Sequence, residues 1–81
     1  MKYYELYFMK YDTFDYVLEV CETIYFKATS IDDLDSYLDE YMEEHGYESY
    51  EINKVGLEYI LKYSDYDNET EIPNYDDEDI I

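Results

Sequence analysis

The chain has 81 residues and a formal net charge of −18 at pH 7, with 23 acidic residues against five Lys, no Arg and one His. Its length allows one domain with one core, and its charge disfavours direct binding to DNA, RNA or anionic lipid, because the electrostatic term that drives such binding has the wrong sign. Disordered acidic chains are poor in aromatic residues, whereas this chain has 14 Tyr and three Phe. The composition therefore predicts a folded domain whose acidic surface favours a basic partner.

The first part of the chain has the alternating pattern of two β-strands. Residues 2–10 are rich in aromatic side chains and free of Gly and Pro, and residues 16–27 alternate throughout. Alternate side chains of a strand lie on opposite faces. One face of the second strand is accordingly predicted to hold Leu18, Val20, Ile24 and Phe26. The short polar link at residues 11–15 favours an antiparallel hairpin.

The next segment has helical periodicity. Its apolar residues recur at steps of three and four and are Ile31, Leu34, Leu38, Tyr41 and Met42. This is the pattern of an amphipathic helix with one buried face. Ser30 precedes the run as a candidate N-cap, and Gly46 follows it as a candidate left-handed C-cap. The sequence therefore predicts one helix between Ser30 and Gly46.

The rest of the chain divides into two alternating runs and an acidic segment. Residues 47–53 and 57–63 are predicted to be strands. Residues 64–81 contain Pro and many acids but no basic residue, which predicts a flexible acidic tail. The predicted fold is α+β: an antiparallel sheet of about four strands in the order β-β-α-β-β, with one helix on one face. Residues 1–63 would form the single domain and residues 64–81 the tail.

Several acids of the predicted helix stand where they lower its stability. Asp35 and Asp39, Asp39 and Glu43, and Glu40 and Glu44 are like-charge pairs four residues apart. Glu43 and Glu44 also lie at the negative end of the helix dipole. A helix selected for stability alone would carry Lys at some of these positions. The pattern leaves two interpretations open, a solvated face of an unusually acidic protein or a functional anionic surface.

The spacing of these carboxylates is of the same order as that of backbone phosphates. Four residues along a helix rise about 6 Å, and two along a strand about 6.6 Å. A protein groove lined with Lys and Arg to hold a duplex would accept such a row. The candidate partner-binding residues are Asp32, Asp35, Asp39, Glu40, Glu43, Glu44, Glu48 and Glu51, with Asp76, Asp77, Glu78 and Asp79 in the tail.

Signatures of catalysis and of metal binding are weak. The residues from Asp65 to Glu69 begin like a calcium-binding loop, but Thr70 stands where that loop requires Gly and Asp76 where it requires Glu. His45 is the single His, and its predicted place at the helix end favours a structural role. We predict that the protein is not an enzyme and requires no cofactor or metal.

The cysteine count and hydropathy favour an intracellular protein. A single Cys excludes an internal disulfide, and Cys21 is expected to be reduced and buried. No apolar run approaches the length of a membrane span, and the amino terminus lacks the apolar segment of a signal peptide. We therefore expect a soluble, cytoplasmic protein without membrane contact. Apolar residues on both faces of the predicted strands leave a homodimer open.

In size, acidity, aromatic content and α+β pattern, the chain resembles small acidic phage-encoded DNA-mimic inhibitors, which include anti-CRISPR proteins, anti-restriction proteins and inhibitors of uracil-DNA glycosylase. The likeness rests on the acid-rich run from Asp32 to Glu51 and on the tail from Asp76 to Asp79. It is a likeness of composition and architecture without a shared motif, so no residue role is carried over.

The resemblance implies a protein that occupies the basic DNA-binding cleft of a Cas effector, a restriction enzyme or a repair enzyme in the cytoplasm of an infected bacterium. An anti-CRISPR role is the first expectation. The alternative is an acidic adaptor or antitoxin-like module that binds a basic protein outside any nucleic-acid site. A third interpretation, an acidic protein without a dedicated basic partner, also stays open.

Overall fold

A computed structural model of the protein describes residues 1–77 and has an α+β fold, with three antiparallel strands and two helices over these residues. The strands lie in the order β2-β1-β3. The elements are β1 (Lys2–Tyr11), β2 (Leu18–Ala28), α1 (Leu34–His45), β3 (Ser49–Val55) and α2 (Leu57–Tyr63), followed by a 3-10 turn at Glu69–Glu71. The predicted α+β class is thus confirmed, whereas the predicted number of strands and helices is wrong.

The main core lies between α1 and one face of the sheet. Leu34 and Leu38 of α1 are buried against the β1 residues Leu6 and Phe8 and against Phe26 of β2. Burying each such side chain stabilises the fold by about 1.5–3 kcal/mol. The three- and four-residue spacing predicted the buried face of this helix, and α1 covers the face of β1 that holds Tyr4, Leu6 and Phe8.

The two ends of α1 differ in how well the sequence predicts them. Gly46 has φ 71°, and its N–H donates to Met42 O, so the left-handed C-cap is confirmed. The helix begins at Leu34 and not directly after Ser30. Ser30 Oγ instead accepts from Asp32 N at 3.3 Å. The hydroxyl therefore stabilises a turn that precedes the helix, and the predicted N-cap is wrong.

A bulge in β2 moves part of this strand to the other face of the sheet. Phe8 lies opposite Glu22, but Met9 lies opposite Val20, so Cys21 is the extra residue. Val20 therefore lies on the face away from α1, whereas uninterrupted alternation placed it with the core residues. Cys21 is exposed. The prediction of a buried thiol is wrong because the bulge removes this residue from the regular pleat.

Residues 57–63 form helix α2 and not the predicted fourth strand. Alternation over seven residues fits either element when apolar residues also recur at helical steps. Ile60 is fully buried, and Tyr59 and Tyr63 are in contact four residues apart, with ring centroids 4.6 Å apart. The Glu5 carboxylate of β1 is the largest cause of the raised pKa of Tyr59, so this tyrosine lies close to β1. The second helix therefore covers the sheet face opposite α1.

The described part of the predicted tail lies along the outer edge of β2. Lys27 N donates to Pro73 O at 2.9 Å, and Tyr75 N donates to Lys27 O at 2.8 Å, which forms a short parallel bridge. Ile72 is only 2% exposed. The packing of its apolar residues was not predicted, because the segment as a whole is rich in acids. The boundary between domain and tail at residue 63 stays a prediction.

An ion pair with Glu69 also connects the carboxy-terminal segment to β2. Lys27 Nζ lies 2.8 Å from Glu69 Oε1 and also donates to Glu69 O at 2.9 Å. The Lys27 side chain is largely buried, so the pair is better protected from salt than a surface pair. One of the five Lys is therefore used to fasten the carboxy-terminal segment to the sheet.

The β1–β2 hairpin turns through a residue with a left-handed backbone. Asp12 Oδ1 accepts from Phe14 N at 2.7 Å and from Asp15 N at 3.2 Å, which orders the start of the loop. Tyr16 has φ 55° and is the one non-glycine residue of the described chain with positive φ. Its side chain is 81% exposed. A bulky residue thus adopts this conformation with little packing in return.

We predict that Tyr16→Gly raises the free energy of unfolding by about 1 kcal/mol, because Gly adopts positive φ without the steric cost that a side chain incurs there. Denaturant titration of both proteins measures the change. Thr13→Gly in the same loop is the matched control and is expected to lower the free energy of unfolding, because its backbone needs no such freedom. Equal destabilisation by both substitutions would show that the Tyr16 backbone is unstrained.

Candidate functional site

The acidic residues of α1 lie in two exposed rows beside its buried stripe. At 3.6 residues per turn, positions four apart follow one another along the helix. The first row consists of Asp35, Asp39 and Glu43, and the second of Glu40 and Glu44. Tyr50 Oη of β3 donates to Asp35 Oδ1 at 2.9 Å. The first row therefore runs along the β3 side of α1, and the second runs along the other side.

Two of the other predicted site residues lie near the start of α1. Asp32 is exposed in the turn before the helix. Asp76 comes from the carboxy-terminal segment, and its Oδ2 accepts from Thr29 N at 3.1 Å and from Thr29 Oγ1 at 2.8 Å. Thr29 is three residues before Asp32, so the docked segment brings a distant acid towards the amino-terminal end of α1.

The remaining predicted site residues are not gathered at α1. Glu51 pairs with Tyr7 and so lies on the sheet face that α2 covers. Glu48 is exposed in the link between α1 and β3, where its N–H donates to Met9 O at 2.8 Å. Asp77 is exposed beside Asn74, whose amide donates to its carboxylate. Glu78 and Asp79 lie outside the described residues.

The carboxylates of α1 receive no cation from the part of the chain that the structure describes. Within residues 1–77, the contact between Lys27 and Glu69 is the one ion pair. His45 at the helix end packs its ring against Tyr41, with centroids 4.2 Å apart. The negative field of α1 is therefore compensated only by solvent ions and acts over a Debye length of about 8–10 Å.

Tyrosine hydroxyls act as hydrogen-bond donors to a half-buried carboxylate in the main core. Glu22 Oε2 accepts from Tyr41 Oη and from Tyr47 Oη, both at 2.8 Å. Burial and this hydrogen bond raise the pKa of Tyr41 to about 12. The hydrogen bond to Glu22, with a smaller contribution from burial, also raises the pKa of Tyr47. Two phenols thus do here what a Lys or Arg does in less acidic proteins.

A second carboxylate lies beneath α2 and is more deeply buried. Glu5 is 3% exposed at the centre of β1. Hydrogen bonding to Glu5 is the largest cause of the raised pKa values of Tyr7 and Tyr59. Burial, followed by the hydrogen bond to Glu5, raises the pKa of Tyr25 to about 12. Glu5 Oε2 nevertheless has no hydrogen-bond partner among the described residues.

Sequence reasoning missed Glu5 and Glu22 as functional or structural centres. It gave them no role beyond membership of the two predicted strands. The available signal was their position inside aromatic-rich strands in a chain with very few cations. A carboxylate placed there must find neutral donors, and Tyr is the donor that this composition supplies.

A pocket of about 350 Å³ opens between the edge of β2 and the chain that follows α2. The residues that line it are Thr23, Ile24, Tyr25, Tyr63, Ser64, Asp65 and Tyr66. Ser64 Oγ donates to Ile60 O at 2.6 Å and accepts from Tyr66 N at 3.2 Å. These bonds fix the turn that carries two of the aromatic walls.

The tip of the β1–β2 hairpin exposes apolar side chains. β3 pairs with β1 only as far as Met9, so the hairpin continues beyond it as a two-stranded ribbon. Phe14 at the tip is 88% exposed. Other exposed apolar residues of this ribbon are Tyr11, Tyr16, Val17, Leu18 and Val20. A patch of this kind on a small protein is typical of a contact with another protein.

Over residues 1–77, no group of three or more His, Cys, Asp or Glu residues has an arrangement that holds a metal ion, and no helix is long and apolar enough to cross a membrane. Comparison with protein-family models, curated proteins and solved structures finds no match. Support for a function therefore comes from the charge and geometry of this chain itself.

The raised tyrosine pKa values predict a loss of stability at alkaline pH. Tyr25 and Tyr41 ionise near 10.0 when unfolded and near 12 when folded. Because the folded state holds these protons longer, their stabilising contribution is present below pH 10 and is lost as the pH rises through 12. The measurements are the free energy of unfolding against pH and the ultraviolet absorbance of phenolate.

Tyr41→Phe is the control for this titration, because it removes one raised pKa and one hydrogen bond to Glu22. We expect it to lower stability at neutral pH and to make the alkaline decline shallower. If all tyrosines of the native protein titrate near pH 10, the hydroxyls are not held by the carboxylates.

Proposed function

We propose that the protein is a DNA-mimic inhibitor that occupies the basic nucleic-acid-binding cleft of a bacterial defence or DNA-processing complex. A CRISPR effector in the cytoplasm of an infected host is the first candidate target. The observation that carries this proposal is the acidic surface of α1, whose two rows of exposed carboxylates have no cationic partner within residues 1–77. A surface of this kind favours a partner that supplies Lys and Arg.

The mechanism is competition for phosphate-binding residues. Carboxylates four residues apart on α1 are separated by about 6 Å along the helix axis, and Lys and Arg that hold phosphates can contact such a row. α1 presents the row on a rigid base, because Leu34 and Leu38 fix the helix to the sheet. Opposed fields make association fast and sensitive to salt. The inhibitor performs no chemistry and excludes DNA by occupying its site.

The position of the other acids supports a contact centred on α1. Asp32 and Asp76 lie near its amino-terminal end, where they add negative charge. Glu51 lies on the opposite sheet face and belongs to a separate part of the surface. We therefore assign the central contact to Asp35, Asp39, Glu40, Glu43 and Glu44.

We predict that the triple reversal of Asp39, Glu40 and Glu43 to Lys abolishes binding to the target and leaves the domain folded. Each position is exposed, and the new charges remove repulsion within α1, so the free energy of unfolding should not fall. Inhibition assays and denaturant titration measure the two effects.

The matched control reverses Asp15, Glu19 and Glu58 to Lys, which gives the same change in net charge away from α1. This variant should retain most of the inhibition, with slower association because the overall field is weaker. Equal loss in both variants would show that net charge alone, and not the rows of α1, carries binding.

The identifying experiment uses the tagged protein to capture partners from lysates of candidate bacterial hosts at low salt, with elution by a salt gradient. A captured DNA-processing complex is then tested for duplex binding by mobility shift. Mimicry requires that the complex binds either duplex DNA or this protein, but not both. A ternary complex with DNA, or recovery of miscellaneous basic proteins only, would exclude the proposal.

The exposed hairpin tip favours a second candidate, an acidic adaptor or antitoxin-like module that binds a basic protein outside its nucleic-acid site. Phe14 and its apolar neighbours offer a contact that a phosphate backbone lacks. Phe14→Ser would abolish binding by an adaptor that uses the tip and would leave competition by α1 intact. The homodimer that the sequence leaves open would also have this patch available, but two copies of charge −18 repel each other.

A further inference from the structure

The pocket between β2 and residues 63–66 lies apart from the acidic rows of α1. It is formed by the outer edge of β2 and by the turn after α2, which covers the sheet face opposite α1. Its volume of about 350 Å³ is within the range of small-ligand sites, which starts near 300 Å³. The DNA-mimic proposal uses none of its residues, so the two can be tested separately.

Three aromatic rings and a carboxylate give the pocket the chemistry of a cation site. Tyr25, Tyr63 and Tyr66 line the pocket together with Asp65, which brings a negative charge to it. Tyr faces attract ammonium groups within about 6 Å of the ring centre, and cages of such rings recognise alkylated ammonium ions. The lining contains no Lys or Arg that would oppose a bound cation.

A buried carboxylate lies directly behind one wall of this pocket. Glu5 is the cross-strand partner of Tyr25, so the two side chains lie side by side on the same face of the sheet. Burial, followed by the effect of the Glu5 carboxylate, raises the pKa of this tyrosine. Glu5 Oε2 lacks a hydrogen-bond partner within the described chain, so its charge is incompletely compensated. A field from behind Tyr25 adds to the attraction that Asp65 exerts from the lining, because burial limits its screening by solvent.

The chain itself shows that a ring of the pocket accepts an ammonium group. Lys62 Nζ lies 5.2 Å from the centre of the Tyr63 ring. Tyr63 is 57% exposed and can therefore receive a ligand from outside. Lys62 is not part of the lining, and its positive charge competes with any cation that enters.

Beside the pocket, part of the edge of β2 has no backbone partner among residues 1–77. Lys27 N and O point away from β1 and bond to residues 73–75. Since backbone orientation repeats every two residues, Tyr25 N and O point the same way, and they have no backbone partner of this kind among residues 1–77. A lysine-bearing segment could pair there while its side chain enters the pocket.

We propose that this pocket is a binding site for an alkylammonium cation of the kind carried by a lysine side chain. The aromatic walls bind the methylene and ammonium groups, and Asp65 and Glu5 supply the opposing charge. Free amines and lysine residues share this chemistry, and the open edge of β2 favours a lysine presented by an extended protein segment.

The first test compares three capped amino-acid probes by NMR titration of the full chain at about 0.15 M salt. The probes are lysine, Nε-trimethyl-lysine and the neutral analogue in which carbon replaces the trimethylated nitrogen. We expect the trimethylated probe to bind roughly two- to thirtyfold more tightly than its neutral analogue, with shifts concentrated at residues 23–25 and 63–66. Equal binding of the charged and neutral probes would overturn the proposal.

Substitutions separate the pocket from general attraction to an acidic protein. Tyr63→Leu should weaken binding, whereas Tyr63→Phe keeps the aromatic face and should bind like the native protein. Asp65→Asn should weaken binding roughly two- to fivefold, while Asp15→Asn makes the same charge change in the hairpin and should have little effect. Lys62→Gln should strengthen binding by removing the competing ammonium.

Three results would each overturn the site. The first is an equal loss of probe binding in Tyr63→Phe and Tyr63→Leu, and the second is an equal loss in Asp65→Asn and Asp15→Asn. The third is a set of NMR shifts spread over α1. A final comparison distinguishes a lysine presented by a protein segment from a free amine as the ligand. A short extended peptide with a central trimethyl-lysine should bind more tightly than the capped amino acid if the Tyr25 edge pairs with it, and equally if the site serves free amines. Both results support the alkylammonium site and differ only in what presents the cation.

Discussion

Hydrogen bonds from tyrosine hydroxyls to carboxylates make this strongly acidic chain compatible with a packed fold. A carboxylate removed from water is costly unless donors surround it, and the chain has only five Lys to set against 23 acids. Glu22 accepts from Tyr41 and Tyr47 in the main core, and Glu5 lies among tyrosines beneath α2. Tyr supplies apolar ring area and a neutral donor in one side chain, so it builds the core and partners its acids without adding positive charge.

This arrangement leaves the outer acids without internal partners. Lys–Glu pairs would stabilise α1 but would also neutralise its charge. The hydroxyl of Tyr50 instead donates to Asp35 and leaves the negative charge of Asp35 in place. Glu43 and Glu44 oppose the helix dipole, and the apolar contacts of Leu34 and Leu38 offset that cost. The fold therefore retains a concentrated negative field on a rigid helix, which is the property that a basic cleft recognises.

The sequence predicts those elements whose residues repeat over several turns or along one uninterrupted pleat. α1 and strand β1 are of this kind. Prediction from the sequence fails where one residue breaks the repeat, as Cys21 does in β2. It also fails where a run is too short to distinguish a strand period from a helix period, as in α2. Composition also concealed the packing of Ile72 and Tyr75, which contact the rest of the fold from within the acidic segment. Of the candidate site, the rows on α1 follow from helical spacing, but the separation of Glu51 depends on strand pairing that the sequence does not reveal.

The pocket lies between β2 and the chain from Tyr63 to Tyr66, so the molecule has two candidate binding surfaces that act through different interactions. The carboxylates of α1 attract a partner through solvent, so added salt weakens this attraction first. The aromatic walls act at contact distance on a partly desolvated cation, where screening matters less. A partner that used both surfaces would be attracted by the first and retained by the second. Salt would then slow its association far more than it would hasten its release, because the contacts that persist in the complex are those least exposed to ions.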